Sequence, residues 1–357
     1  MKAMLLTAGR GERMLPLTLS QPKAAIPVLG RPLVLQILQW LGTNGVEDAV
    51  LNLHHLPDAI KALLEETSAG MPAVRYTFEE EILGTAGGIR RASPVLRDGR
   101  PVVVSNSDFL SDIELGPVLD AHLTSGCLAT MVLAPPRPGY SVVETDAEGR
   151  VISLGGDPPV EPRRVAGKYL FTGCHVIEEE VLDRIPDDGP SCIVRDVYRP
   201  LAEEGRLGSF VHDGFWWEFG SPELYLDGSL HLLDCSGERR RRISGDHDSV
   251  RQLDRATAAV GPGSDFHKGA RFEGRTALGY SCYVSDGAHV EDSVVMPEAW
   301  IGPGCEVKRS VIGQGAELPA GFETREELVC ADLDPTLPPP AETRRENGLL
   351  IYSFGSR

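Results

Sequence analysis

Residues Leu5 to Pro32 read LLTAGRGERMLPLTLSQPKAAIPVLGRP, and their reading decides the fold. An apolar run, Met1 to Thr7, has the length and character of a buried first strand. It breaks into Ala8-Gly9-Arg10-Gly11, then into a long loop carrying Arg13 and Lys23, then into a helix expected to start near Pro32. A strand that opens into glycine presents bare backbone N–H groups at the carboxyl edge of a sheet, where anions dock. A side chain at Gly9 or Gly11 would hold a phosphate away from those groups. Arg13 and Lys23 bring positive charge to the same loop. The pattern is not a dinucleotide fingerprint, because Arg13 stands where a third glycine belongs, and no Gly-Lys-Ser/Thr of a Walker loop follows.

Composition narrows the classes. The chain has 357 residues, 41% hydrophobic, with 39 glycines and 27 prolines, which suits a globular protein with many turns. Its formal charge of −17 argues against nonspecific binding to nucleic acid or an anionic membrane. An acidic chain that handles polyphosphate must gather its cations locally, which gives weight to Lys2, Arg10, Arg13 and Lys23. The basic block Glu238 to Arg242 reads as a solvated linker face. No apolar run approaches the roughly 20 residues of a membrane span, and the N-terminus enters a core strand without a signal-peptide pattern. Seven scattered cysteines with no C-x-x-C fit buried thiols in a reducing cytoplasm.

Strand and helix patterns alternate after the loop. Leu33 to Leu41 has helical spacing and is expected to stop at Gly42 and Gly45. Asp48 to Leu53 and Val74 to Phe78 read as strands, and Pro57 to Glu66 as an amphipathic helix. This order predicts an α/β fold with a mostly parallel sheet, its strand ends gathered on one edge. Three later motifs follow strand-like runs: Leu83-Gly84-Thr85-Ala86-Gly87-Gly88, Val102 to Asp108, and Gly214 to Pro222 around Glu218. Asp108 ends a β-branched run, where a carboxylate can hold a hard cation.

From Val260 the texture changes. Apolar residues recur every six positions at Val260, Phe266, Phe272, Leu278, Val284 and Val290, and the repeat resumes at Ile301, Val307, Ile312 and Leu318 after short steps. A small residue follows four positions later at Ser264, Ala270, Thr276, Cys282, Ala288, Cys305 and Ala316. That is the mark of a parallel β-helix. His267 and His289 read as solvent-facing coil residues. Asp332 to Arg357 is a Pro-rich tail with a strand expected at Leu349 to Phe354.

The first loop resembles the signature of the sugar-1-phosphate nucleotidyltransferases (nucleoside-diphosphate-sugar pyrophosphorylases), G-x-G-x-R-x-x-P-x-T followed by P-K-x-x-x-P. Gly9, Gly11, Arg13, Pro16, Thr18, Pro22, Lys23 and Pro27 fill every fixed position. The resemblance implies a Rossmann-like catalytic domain over 1–235, a linker over 236–259, a left-handed β-helix over 260–323 and a tail over 324–357. It implies nucleotidyl transfer from an NTP to a sugar 1-phosphate. Arg13 would serve the β and γ phosphates, Lys23 the α phosphate and the sugar phosphate. Ala8, Gly9, Gly11 and Leu83, Gly84, Thr85 and Ala86 would hold the nucleotide. Asp108 and Glu218 would hold Mg²⁺. Asn106, Tyr140, Ser141 and Lys168 are the sugar-side candidates.

Departures from the family pattern are specific. Ser107 and Ser141 replace glycines, Glu218 replaces an aspartate, and Gly155-Gly156-Asp157-Pro158 stands where the family carries E-K-P. Phe171-Thr172-Gly173 stands for N-x-G. The L-G-T-A-G form with a C-terminal β-helix is most similar to mannose-1-phosphate guanylyltransferases, which implies GTP and GDP-mannose. Uridylyl- and thymidylyltransferases share most of these residues. A catalytically silent nucleotide-sugar-binding subunit and a β-helix acyltransferase are the competing classes. A β-helix with an exposed end often self-associates, so a homo-oligomer is expected, with no nucleic-acid or membrane partner.

Overall fold

The fold is described from a computed structural model, which covers residues 1–65, 70–245 and 250–355. It forms two compact units: Met1–Arg10 with Ile37–Trp216, and Gly11–Gln36 with Trp217–Arg357.

The first unit is built on β1 (Lys2–Leu6), with α1 (Leu33–Thr43) entering it at Ile37. There follow β2 (Asp48–Leu53), α2 (Pro57–Glu65), β3 (Ala73–Phe78), α3 (Gly84–Leu96) and β4 (Val102–Asn106). Next come α4 (Leu115–Ser125), β5 (Ala129–Ala134), the pair β6 (Val143–Thr145) and β7 (Val151–Leu154), β8 (Gly167–Ile177) and β9 (Leu207–Val211). The strand order is β7-β6-β8-β4-β1-β2-β3, with β5 between β8 and β9. β1 runs parallel to both β2 and β4, so Leu6 lies beside Asn52 and Asn106. Ala3, Met4 and Leu5, and Val102 to Val104, are fully buried, as strands covered on both faces must be. β8 is antiparallel to β4 and β5, which makes the sheet mixed at one side of a parallel centre.

One sequence reading shifts here. α1 continues through Gly42 to Thr43, and a Cβ at Gly42 would fall 1.9 Å from the Gly70 carbonyl oxygen. Glycine there answers a close backbone approach, not a helix stop. α2 ends at Glu65, and the expected end at Glu66 lies outside the described residues. His175 on β8 is wholly buried, its Nδ1 2.8 Å from the Tyr198 hydroxyl.

In the second unit α5 (Pro222–Asp234) and α6 (Gly237–Ser244) precede the coil strands β10 (Val250–Leu253) and β11 (Arg255–Val260). The stretch read as linker holds α6, β10 and β11, and residues 246–249 lie outside the described residues. The basic block forms α6, and Arg240 is buried instead of solvated. Its Nη1 donates to the Leu233 carbonyl at 3.3 Å and the Cys235 carbonyl at 2.5 Å, capping orphan carbonyls at the end of α5.

The coil proceeds through β12 (Arg271–Leu278), β13 (His289–Val295), β14 (Glu306–Lys308), β15 (Val311–Ile312), β16 (Glu323–Arg325) and β17 (Glu327–Ala331). Pairings between rungs are parallel. Asp265 pairs with Tyr283 eighteen residues on, and Tyr283 with Trp300 seventeen on. The one-residue shortening accounts for the irregular step after Val290. Val284, Val290, Ile301, Val307 and Ile312 are fully buried, as are the small corner residues Ala288, Cys305 and Ala316. Burying each aliphatic side chain contributes roughly 1.5–3 kcal/mol. The tail closes the coil: after β18 (Thr343–Glu346), β19 (Leu349–Ser353) adds antiparallel to β17, and β18 pairs antiparallel with β19 on its other side.

Candidate active site

In the second unit the signature loop is held by its own small and hydroxyl residues. Gly11 has φ +66°, and a Cβ there would come within 2.8 Å of Thr18 Cγ2 and 3.1 Å of Lys23 Cβ. The Thr18 hydroxyl donates to the Gly11 carbonyl at 3.0 Å. Gly11 and Thr18 thus lock one turn, which then presents Arg13. Its guanidinium is 63% exposed and donates from Nη2 to Glu218 Oε1 at 3.0 Å. A Cβ at Gly220 would fall 2.2 Å from that same Oε1, so glycine two residues after Glu218 makes room for the pair. Ser221 caps α5, accepting from the Leu224 N–H, and Trp217 Nε1 donates to the Leu224 carbonyl. The Tyr225 hydroxyl on α5 donates to the Pro27 carbonyl at 2.6 Å. The loop that carries Lys23 and the motif that carries Glu218 are therefore fastened together. Lys23 is half-buried.

In the first unit, Ala8 is buried and Gly9 is exposed at the end of β1. A Cβ on Gly9 would meet nothing within 4 Å. The protein imposes no steric demand there.

A buried chain of polar groups connects β1 to the second motif. The Thr7 N–H donates to Asn52 Oδ1 at 2.8 Å, and Asn52 Nδ2 donates to Glu79 Oε1 at 2.7 Å. Glu79 Oε2 accepts from the Leu83 N–H at 2.9 Å. Glu79 is only 4% exposed. In the sequence Glu79 is one of three consecutive acids, Glu79-Glu80-Glu81, ahead of the Leu83–Gly88 motif. The signal available was position: the first carboxylate after β3, just before the turn into α3.

The glycines of Leu83–Gly88 have protein-side causes. A Cβ at Gly84 would fall 2.5 Å from the Ser191 carbonyl oxygen, and one at Gly88 would fall 2.6 Å from Asn52 Nδ2. Thr85 Oγ1 accepts from the Ile193 N–H at 2.9 Å. Ala86 is completely buried, so its methyl is core. Leu83, Gly84 and Thr85 are half-buried.

β4 ends at Asn106. The Ser107 hydroxyl donates to the Leu6 carbonyl at 2.6 Å, tying the ends of β4 and β1, and half-buried Asp108 follows. Serine in the glycine position thus acts as a strap. Asn106 packs on Gly173, whose φ is +84° and whose Cβ would come within 2.6 Å of Asn106 Nδ2. Tyr140 meets Trp216 edge-on at 5.6 Å, and the Arg137 guanidinium lies 5.4 Å from the same ring. Ser141 is exposed. Lys168 is drawn to Glu144, Nζ to Oε1 3.0 Å. Where the family carries E-K-P, Asp157 pairs with Arg199 at 2.8 Å.

Within the second unit, an arginine and a lysine share one fastened loop, and a carboxylate lies beside the arginine. In comparison with known proteins, the nucleotidyl transferase family model matches residues 2–234, and the GlmU-like C-terminal hexapeptide model matches residues 248–328. The chain belongs to the nucleotidyl transferase family, with a hexapeptide left-handed β-helix at its C-terminal side. Its reaction class is transfer of a nucleotidyl group from an NTP to a sugar 1-phosphate. It is 31% identical to the mannose-1-phosphate guanylyltransferase of Mycobacterium tuberculosis (strain ATCC 25618 / H37Rv), over 86% of this chain and 83% of the relative. It is 27% identical to the mannose-1-phosphate guanyltransferase of Candida albicans (strain SC5314 / ATCC MYA-2876), over 93% and 91%. Mannose-1-phosphate guanylyltransferase 1 of Arabidopsis thaliana is 29% identical, over 88% and 86%.

Proposed function

We propose that this chain transfers the guanylyl group of GTP to mannose 1-phosphate, giving GDP-mannose and pyrophosphate. The observation that carries the site assignment is the locked Gly11–Thr18 turn holding Arg13 beside Glu218. The relatives' shared name supports the choice of base and sugar.

In this reading the sugar-phosphate oxygen attacks the α phosphorus in line, and pyrophosphate leaves. Charge gathers at one phosphorus, so positioning and electrostatics dominate. Arg13 binds the β and γ phosphates and the leaving pyrophosphate. Lys23 bridges the α phosphate and the incoming phosphate. Gly9 and Gly11 offer backbone N–H donors, and Leu83, Gly84 and Thr85 border the base. The attacking phosphate is already ionised, so no protein base is required. Asn106, Tyr140 and Ser141 take the sugar side, with Lys168 available there once it leaves Glu144.

Asp108 and Glu218 are the proposed ligands for Mg²⁺. Their carboxylate oxygens fit a hard cation, and the Glu218 side chain is 16% exposed, sheltered yet reachable. When bound, Mg²⁺ neutralises and aligns the phosphates. The seven free cysteines suit the cytoplasm as the working compartment, and no helix is long and apolar enough to cross a membrane among the described residues. A homo-oligomer through the coil remains part of the proposal.

The test is a panel of four NTPs against mannose, glucose and N-acetylated sugar 1-phosphates with Mg²⁺, reading pyrophosphate, with acetyl-CoA as a separate arm. GTP with mannose 1-phosphate is expected to be fastest. The Lys168–Glu144 pair favours a second reading, a subunit that binds a nucleotide sugar without turnover. GDP-mannose binding with no pyrophosphate from any pair would select it.

A further inference from the structure

The coil carries a second concentration of ligand atoms, independent of the transfer chemistry and confined to the second unit. Glu273 on β12 and His289 and Glu291 on β13 each place one ligand atom within 4.8 Å of the other two. The register explains the grouping. Glu273 pairs directly with Glu291 across adjacent rungs, and His289 lies two residues before Glu291, on the same outward face. Phe272 and Val290 between them point into the core and are buried, so the backbone under the three side chains is fixed.

Two features set this apart from an ordinary acidic surface. First, the donor set is mixed. His289 is only 12% exposed, and its ring is held at both nitrogens: Nδ1 lies 3.2 Å from Glu306 Oε2 on β14, and Nε2 3.5 Å from Glu273 Oε2. A hydrogen bond from Nδ1–H to Glu306 leaves the Nε2 lone pair facing Glu273 and Glu291. A carboxylate that orients one ring nitrogen while the other faces a ligand cluster is the arrangement that protein metal sites use. Second, Glu273 and Glu291 are like charges directly opposite one another, which destabilises a sheet unless a cation intervenes. The flanking cations stand on the outer sides of the pair, Arg255 opposite Glu273 and Lys308 opposite Glu291, and none stands between the two glutamates. Lys308 pairs with Glu306 at 3.1 Å, and Arg271 with Glu306 at 3.7 Å.

We infer that Glu273, His289 and Glu291 form a divalent transition-metal site that clips two successive rungs of the coil, with Glu306 as the group that positions His289. One imidazole and two carboxylates suit Zn²⁺ or Mn²⁺ better than Mg²⁺ or Ca²⁺, which prefer all-oxygen shells. Zinc bonds of about 2.0–2.2 Å need ligand atoms roughly 3–4 Å apart. The His289–Glu273 separation already lies in that range, and rotation of the exposed Glu273 side chain closes the rest. A direct contact between Nε2 and Glu273 is the rival arrangement, and it would hold the same groups together without a metal.

The experiment uses the full chain, stripped with chelator and titrated with Zn²⁺ under excess Mg²⁺, which occupies the proposed catalytic carboxylates. Co²⁺ supplies the optical readout. Wild type is expected to bind one ion more than His289→Gln and than Glu291→Gln, and to gain thermal stability on binding. Glu306→Gln should keep the stoichiometry and weaken affinity by roughly 10–100-fold. All variants should keep nucleotidyl transfer, which reports that they fold. Equal Zn²⁺ uptake by wild type and both ligand variants, or a wild-type Co²⁺ spectrum identical to that of His289→Gln, would overturn the site and leave the direct His289–Glu273 contact in its place.

Discussion

Arg13 Nη2 lies 3.0 Å from Glu218 Oε1, joining the cation of the first loop to a carboxylate 205 residues away in sequence. The arginine is 63% exposed, so the pair adds at most about 1 kcal/mol to stability. Its value lies in placement. Glu218→Gln should therefore leave the melting transition almost unchanged while cutting pyrophosphate release by roughly 100-fold, the scale of losing one preorganised charge. Glu218→Asp, which restores the carboxylate of the family pattern, should stay within about tenfold of wild type. Steady-state pyrophosphate release at saturating Mg²⁺ checks both, and a fully active glutamine variant would remove Glu218 from the site.

Glu79 makes a different prediction, because it touches no proposed reacting group. It holds the start of the Leu83–Gly88 segment through the Leu83 N–H and holds β2 through Asn52. Glu79→Gln keeps the volume but puts an N–H₂ against one of two donors. We expect KM for the NTP to rise about tenfold or more with kcat less affected, since hydrogen bonds to a charged group contribute roughly 1.5–3 kcal/mol. Glu79→Asp should recover only part. Equal losses in kcat with unchanged KM would contradict a positioning role.

Acid stability offers a third check. Complete burial pushes the His175 imidazole down to about 3, so the folded protein keeps it neutral where the unfolded chain protonates near 6.5. Between those values the unfolded state binds the extra proton. This group therefore costs stability as pH falls below 6.5, by up to about 1.4 kcal/mol per pH unit, and the cost levels off near pH 3. Denaturant unfolding of wild type and His175→Phe from pH 7 to 4 should give a shallower decline for the variant. Parallel curves would contradict the assignment.

The coil's interior gives a fourth. Ile301 is completely buried between rungs, and Ile301→Ala should cost about 2–5 kcal/mol. Calorimetry reads it. An unchanged transition would mean that the coil does not unfold within the range measured.

Much of this was legible beforehand because the sequence states it locally. The six-residue repeat from Val260 to Leu318 carries its own register, and the buried aliphatics and corners follow it. The signature loop was legible because Gly11, Thr18 and Lys23 are neighbours in sequence as well as in space. What escaped depends on distant partners. Gly42 reads as a stop until the Gly70 carbonyl is seen against it. Arg240 reads as surface until the end of α5 takes its guanidinium. Glu79 reads as one acid of three until Asn52 and Leu83 close on it. Lys168 is tied to Glu144 by strand pairing between β8 and β6, which no linear motif encodes.

The most direct test incubates the protein with GTP, mannose 1-phosphate and Mg²⁺ and measures pyrophosphate against GDP-mannose, beside Arg13→Ala and Asp108→Ala. The account predicts equal amounts of the two products from wild type and a loss of roughly 100-fold or more in each variant, with melting transitions unchanged. Full activity in Arg13→Ala, or no pyrophosphate from wild type with any NTP and sugar phosphate, would contradict it.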